Sequence, residues 1–475
     1  MLNQLNIRCY EIWSYLSTNR LWYIILIFIS LVSGLCFLRF RPEIIVGILT
    51  ALVLVVVLFY YPYVGVLAYI VFEYARIPAM FPVLQPLQIG KWIVILTLLV
   101  WIYHFAQHRS TFVRDKFNWL MLAWLALAFL SSLFASDKKL AAEWALILAR
   151  WAVVYFIFIN LVDSLPKWQG LIWLLLLLNI KLSQFQIRSF QAGYGTASDQ
   201  YGYITQGVGA GSTAFFSNAT DFGAAMCVVA PFALYLVKAV KFKILKAAGV
   251  IMFLAFTFSI LQSGSRGAAM ALFAMALVFW LKSSKKMIIG ILVLFFVLGF
   301  WVSAPLPWKE RFVSAINFHE DPTASSRINF WKAGFIMFKE HPLTGVGMGN
   351  FGRNFAELYD PTGQRMGSWA PHSIFVQAGA ELGIGGLAIL FWIFYLIFKR
   401  NRETREMLLK HNLNNRWVYD FSQALDLSLV GFVVSGAFLT ILYYPHLYII
   451  MALALSLNHI TQKLCEDINF SPELC

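Results

Sequence analysis

Arg266 lies in the stretch LQSGSRGAAM, within a two-residue break between two apolar runs. A guanidinium in so tight a turn is a fork of donors suited to a phosphate or pyrophosphate. Its bland use is that of a cation snorkelling at a membrane surface. His372 follows Pro371 and opens the apolar stretch SIFVQAGAELGIGG. At a helix start the dipole disfavours an imidazolium, and the neutral ring left behind is what a general base requires. The alternative is a histidine that only caps the helix or faces headgroups. Glu381 comes nine residues on, about two and a half turns deeper if the helix is continuous. Carboxylates inside a membrane are costly and usually paired. The candidate partners are the other ionisable groups inside apolar runs: Lys91, Glu143, Arg150 and Lys181.

The elements that must position these residues are membrane helices. Of 475 residues, 60% are hydrophobic, 17% aromatic and only 13% charged. The mean hydropathy is +0.71. This composition marks an all-α polytopic membrane protein rather than a soluble domain. Apolar runs of helix length fall near 21–38, 43–60, 62–76, 87–107, 117–135, 140–162, 166–186, 219–237, 247–263, 267–281, 286–303, 373–398, 422–442 and 446–461. The run at 62–76 is short for a bilayer that needs about 20 residues, so twelve to fourteen spans are expected. The whole of 1–475 reads as a single integral membrane domain. The first twenty residues, with Arg8, Glu11 and Arg20, read as a cytoplasmic lead-in and not as a cleaved signal peptide.

The net charge of +14 is explained by loops held on the cytoplasmic side and not by nucleic acid. Lys238, Lys241, Lys243 and Lys246 form one cluster, and Lys282, Lys285 and Lys286 a second. The third lies in the basic loop 399–421, with Lys399, Arg400, Arg402, Arg405, Lys410 and Arg416 against Glu403 and Glu406. Alternation through the spans puts all three clusters and both termini on the cytoplasmic side. Two long loops then lie outside, at 187–218 and at 304–371, the second partly helical and carrying cations that long loops tolerate.

In the second loop, Ser325 or Ser326 is suited to cap a helix whose apolar members are Ile328, Trp331, Phe335 and Phe338. The GVGMG that follows reads as a loop, since no strand precedes it. In STAFFSNATDFGAAM, Asn218 or Thr220 is suited to cap the next span, with Asp221 in its first turn. Neither CxxC pairs nor DxD elements in the outer loops point to a metal, and no cofactor is implied.

The order of these motifs resembles the bacterial O-antigen ligase and O-antigen polymerase family. The SRG hairpin is followed by SSRINFWKAG…HPLTGVGMGNF and then by PHSIFVQAGAELGIGG, over about Ser212 to Gly386. The resemblance implies a membrane glycosyltransferase of the GT-C type at the periplasmic face of a bacterial inner membrane. Its donor would be an undecaprenyl-pyrophosphate-linked glycan, and its acceptor another glycan, lipid A–core or a protein. By position, Arg266 would engage the pyrophosphate, His372 would activate the acceptor hydroxyl, and Arg327 would match an R…W element of the large loop. The family also has an arginine before a G-x-F-x-N-P-N element. Here Phe216 and Asn218 remain, and Arg188 is the nearest upstream arginine. Ser373 stands where the family commonly has asparagine. The rival readings are a flippase-like transporter of polysaccharide or lipid, and an inactive partner in an assembly complex; no internal repeat favours the transporter.

Overall fold

The structure, a computed structural model, describes residues 42–75, 86–108, 112–191, 219–303, 309, 322–359 and 369–470. It is all-helical, with no strand among the described residues. In chain order the helices are α1 (Pro42–Tyr60), α2 (Tyr63–Tyr74), α3 (Ile89–Ala106), α4 (Lys116–Leu133), α5 (Lys138–Leu161), α6 (Leu165–Gln191) and α7 (Ala219–Ala239). They continue with α8 (Lys243–Gln262), α9 (Arg266–Lys282), α10 (Lys286–Ser303), α11 (Pro322–Glu340), α12 (Phe351–Tyr359), α13 (Ile374–Lys410), α14 (Arg416–Gly436) and α15 (Pro445–Phe470). Helix α1 lies in a first unit that ends at Val64, and Gly65 onward forms a second unit that holds all the chemistry discussed below.

Each predicted apolar run from 43–60 onward coincides with a helix; the run at 21–38 lies outside the described residues. Seven described helices are long and apolar enough to cross a membrane by length and composition, namely α3 to α8 and α13. The protein is therefore a polytopic helical membrane protein. Within the second unit α7 packs along α14 and α8, α9 lies against α14, and α13 touches α4, α14 and α15. The α7–α14 contact is close enough for the Ser428 hydroxyl to donate to the Val228 carbonyl at 2.7 Å.

Helix α13 is not continuous. Gly383 has φ 67° and ψ −158°, which breaks the helix into arms at 374–382 and 384–410. The arms fold back on each other, so that the Phe375 and Phe391 rings stack at 5.5 Å. Sixteen residues of straight helix would separate them by about 24 Å. Helices α13 and α14 also extend through the stretch expected as a basic loop at 399–421, leaving a turn only at 411–415. Of the expected outer loop 187–218, residues 187–191 finish α6 and the rest lie outside the described residues.

The three expected cation clusters meet at one end of this unit. Lys238 lies 3.7 Å from Asp420, and Arg416 lies 3.4 Å from the same carboxylate. Arg405 pairs with Asp426 at 2.9 Å, Asn401 donates to Asp426 at 2.9 Å, and Lys282 acts on Asp426 electrostatically. Asp420 and Asp426 both lie on α14, so one helix gathers charges from the ends of α7, α9 and α13.

Candidate functional site

The opposite ends of α7, α9 and α14 carry the candidate chemistry. Arg266 is the first residue of α9, which Ser265 caps by accepting from the Ala268 N–H at 3.2 Å. Gly264 has φ 62°, so glycine allows the SGSRG turn to be this tight. A Cβ on Gly223, in the first turns of α7, would lie 2.5 Å from the Ser263 hydroxyl, so α7 starts directly against this turn. The expected placement of Asp221 in the first turn of α7 is observed, and the buried carboxylate accepts from the Tyr444 hydroxyl at 2.9 Å. Asn218 lies outside the described residues.

Helix α11 is described from Pro322, a good first helical residue, so Ser325 and Ser326 lie inside the helix and not at its start. Of the expected apolar members, Ile328, Trp331 and Phe338 are half-buried, and the fully buried positions lie beside them. Phe330, Ala333 and Met337 are buried, whereas Phe335 is 58% exposed. The register is set by the first arm of α13, since a Cβ on Gly334 would meet the Val376 side chain at 2.3 Å. Arg327 is one turn before Phe330 and Trp331 on this helix.

His372 precedes Ser373, the residue at the N-cap of α13, whose side chain makes no capping bond. His372 is held in the left-handed region, φ 47°, at a cost of about 1–2 kcal/mol for an L residue. Its N–H donates to the Thr440 hydroxyl oxygen at 2.9 Å, and its ring lies 5.6 Å from that of Phe330. Burial, and then the Arg327 guanidinium nearby, lower the imidazole from its ordinary 6.5 to about 4. Burial and Arg327 both act in the direction of the neutral ring that was expected. Arg327 and His372 are thus brought together.

Next to Arg266 in the chain, Gly267 reaches the same neighbourhood through Phe438. Phe438 lies 2.9 Å from where a Cβ on Gly267 would stand, and its ring faces Trp331 at 6.4 Å. Arg188, by contrast, is exposed near the end of α6, five residues beyond Ser183, which touches Met226 of α7 at 3.3 Å. Its helix therefore runs toward the same end, and among the described residues no contact ties Arg188 to His372.

Glu381 occupies the break in α13, not a point deep in a continuous helix. Its carboxylate accepts from the Tyr443 hydroxyl at 2.7 Å, from Gln377, and from the backbone N–H groups of Gly349 and Phe351. The last of these opens α12. None of the four expected ionic partners is used: Arg150 interacts electrostatically with Glu73, and the Lys181 ammonium lies 3.4 Å from the Ala75 carbonyl. The break frees backbone groups that cannot remain unpaired when buried. The loop after α11 supplies their partners. Val346 N–H donates to the Ala380 carbonyl at 2.9 Å and Gly347 N–H to Glu381 at 3.2 Å, while Ile384 N–H donates to Pro342 at 2.8 Å. The Ser131 hydroxyl lies 2.9 Å from the same Glu381 carbonyl. GVGMG is therefore a loop, as expected, and its task is to fill a broken helix. Gly345, at φ 64°, leaves no room for a Cβ against the Glu381 backbone at 2.3 Å.

The residues missed in the sequence are those of the turn between α14 and α15, residues 437–444. The run at 422–442 read as apolar span, and nothing local marks Thr440 or Tyr443 as belonging to a site.

Arg327 and His372 thus lie together, and Arg266 opens α9 beside the Gly267 that packs on Phe438, all in a helical membrane protein. Residues 222–391 match the family model described as O-antigen ligase, and the match supports the O-antigen ligase and polymerase family. The matched segment runs from α7 into the second arm of α13 and includes Arg266, Arg327, His372 and Glu381, but not the turn at 437–444. No curated protein matches the chain.

Proposed function

We propose that the protein transfers a glycan from undecaprenyl pyrophosphate to a hydroxyl acceptor at the periplasmic face of a bacterial inner membrane. The observation that carries this reading is a half-buried imidazole, lowered well below its ordinary pKa beside an arginine, with a second arginine at the start of α9 next to the Gly267 that packs on Phe438. On this reading His372 takes the proton of the acceptor hydroxyl. The oxygen forms a bond to the anomeric carbon, whose bond to the pyrophosphate oxygen breaks. Undecaprenyl pyrophosphate leaves, and its developing charge is met by Arg266, Arg327 and the N–H groups at the start of α9. Arg188 is the proposed further cation on the donor. The acceptor is a glycan, lipid A–core or a protein, and the arginines serve as counter-charge without a divalent ion. With this face periplasmic, the Asp420–Asp426 end and its lysines and arginines are cytoplasmic, which agrees with the positive-inside rule.

The test is reconstitution of the purified protein with an undecaprenyl-pyrophosphate-linked oligosaccharide and alternative acceptors. A ladder of products identifies a polymerase, and single transfer to lipid A–core a ligase. His372→Ala is expected to lose about 10²–10⁴-fold in transfer with the donor still bound. Arg266→Lys is expected to raise the donor KM as well, because an ammonium lacks the fork. Near-normal transfer by His372→Ala at equal expression rejects the base assignment.

The break at Gly383 favours a second reading, because broken helices form the substrate sites of transporters. Here, however, the freed backbone groups already bond to the 342–347 loop. Movement of labelled lipid-linked glycan across vesicles without transfer would favour the transporter.

A further inference from the structure

The turn at 437–444 touches α7, α9, α11 and α13 and lies outside the segment matched by the family model. Phe438 packs on Gly267 beside Arg266 and faces Trp331 of α11. Thr440 accepts from the His372 N–H at 2.9 Å. Leu442 N–H donates to the Gln377 amide oxygen at 3.4 Å, Tyr443 bonds to Glu381 at 2.7 Å, and Tyr444 bonds to Asp221 at 2.9 Å. Eight residues thus hold the starts of α7, α9 and α13 in one arrangement.

Within it, His372 is the residue whose place is least secured by its own helix. It precedes the N-cap, its φ is 47°, and Ser373 provides no side-chain bond. An L residue leaves that conformation unless something outside holds it. One face of the ring is covered by Phe330. Among the described residues, the hydrogen bond that ties its backbone N–H is the one to Thr440.

We propose that the α14–α15 turn is the positioning element of the site and that Thr440, through the His372 N–H, sets the place from which the imidazole acts. This rests on the reading of His372 as the base. Thr440 is a positioning residue: it acts through His372. Valine at 440 keeps the shape and removes the acceptor, whereas serine keeps the acceptor.

The experiment uses the full-length protein in lipid nanodiscs, with an undecaprenyl-pyrophosphate-linked oligosaccharide as donor. Thr440→Val is expected to lower kcat about tenfold or more, since small misplacements of catalytic groups cost rates of that order, with the donor KM little changed. Thr440→Ser is expected to restore most of the rate. Carbethoxylation of His372 by diethylpyrocarbonate, followed by mass spectrometry, reads the geometry without any turnover. It is expected to quicken in Thr440→Val and to stay at the unmodified protein's rate in Thr440→Ser. A Thr440→Val protein with native kcat and native carbethoxylation overturns the proposal. His372→Ala in the same assay separates the two levels. If it is inactive while Thr440→Val is native, the positioning role alone fails; if it is active, the base assignment fails and the positioning role with it.

Discussion

Gly383→Ala tests the broken helix directly and owes nothing to the functional reading. At φ 67° and ψ −158°, Gly383 sits in a region that is essentially closed to L residues, and occupying it costs about 1–3 kcal/mol. The added Cβ would also stand 2.5 Å from the Pro342 carbonyl oxygen and 2.8 Å from the Leu343 carbonyl carbon. Both are backbone atoms and cannot swing away. Relief requires the loop and the second arm to separate, which strains the 2.8 Å bond from Ile384 N–H to Pro342, worth about 1 kcal/mol. The sum is about 2–4 kcal/mol, and with an unfolding entropy of about 1 kcal/mol/K for a chain of this length the purified protein in detergent is expected to melt about 2–4 °C lower. Gly299→Ala is the control, because that glycine is helical and a Cβ there meets nothing within 4 Å. It should match or slightly exceed the unmodified protein. Equal melting of Gly383→Ala and Gly299→Ala would show that the arms are not held by the loop as described.

Three further outcomes are expected. His372 must be neutral to accept a proton, so kcat/KM is expected to fall only as pH drops through about 4, and Arg327→Gln should move that limb upward by removing the neighbouring positive charge; a limb near 6.5 in the unmodified protein contradicts the burial of the ring. Glycan transfer is expected to survive EDTA, and loss that magnesium or manganese restores would refute the arginines as sole counter-charge. Asp426→Ala leaves Arg405 and Asn401 facing an empty place and should cost about 3–5 kcal/mol, read as lost thermal stability, with the Asp426→Ala, Arg405→Ala pair recovering part of it.

What could be read from the chain was whatever depends on neighbours in sequence. Helix positions followed from apolar runs, and the SGSRG turn from two short breaking residues. The neutrality of His372 was also anticipated, although its cause was not. Misreadings arose where a distant partner decides. On α11 the positions packed closest to the first arm, Ala333 and Gly334, are small and leave no mark in the apolar pattern. Glu381 was expected to pair with another ionisable group, whereas a phenol, an amide and two backbone N–H groups satisfy it. Periodicity carries no trace of a break at Gly383, because the residues on both sides remain apolar and helical.

The same reasoning explains why one end of the bundle was easier to read than the other. Clustered lysines and arginines declare themselves in any membrane sequence, but their proximity in space would be repulsive without acids between them. Asp420, just before an apolar run, and Asp426, within it, supply those acids from α14. They also fix the rotation of α14, since both aspartates must face the ends of α7, α9 and α13. Once α14 is fixed in this way, its far end has little freedom. The turn that follows must then present Phe438, Thr440, Tyr443 and Tyr444 toward Gly267, His372, Glu381 and Asp221. The ion pairs at one end therefore orient the residues that shape the candidate site at the other. A charge change at Asp426 should accordingly disturb the reactivity of His372 across the length of α14, in addition to lowering stability.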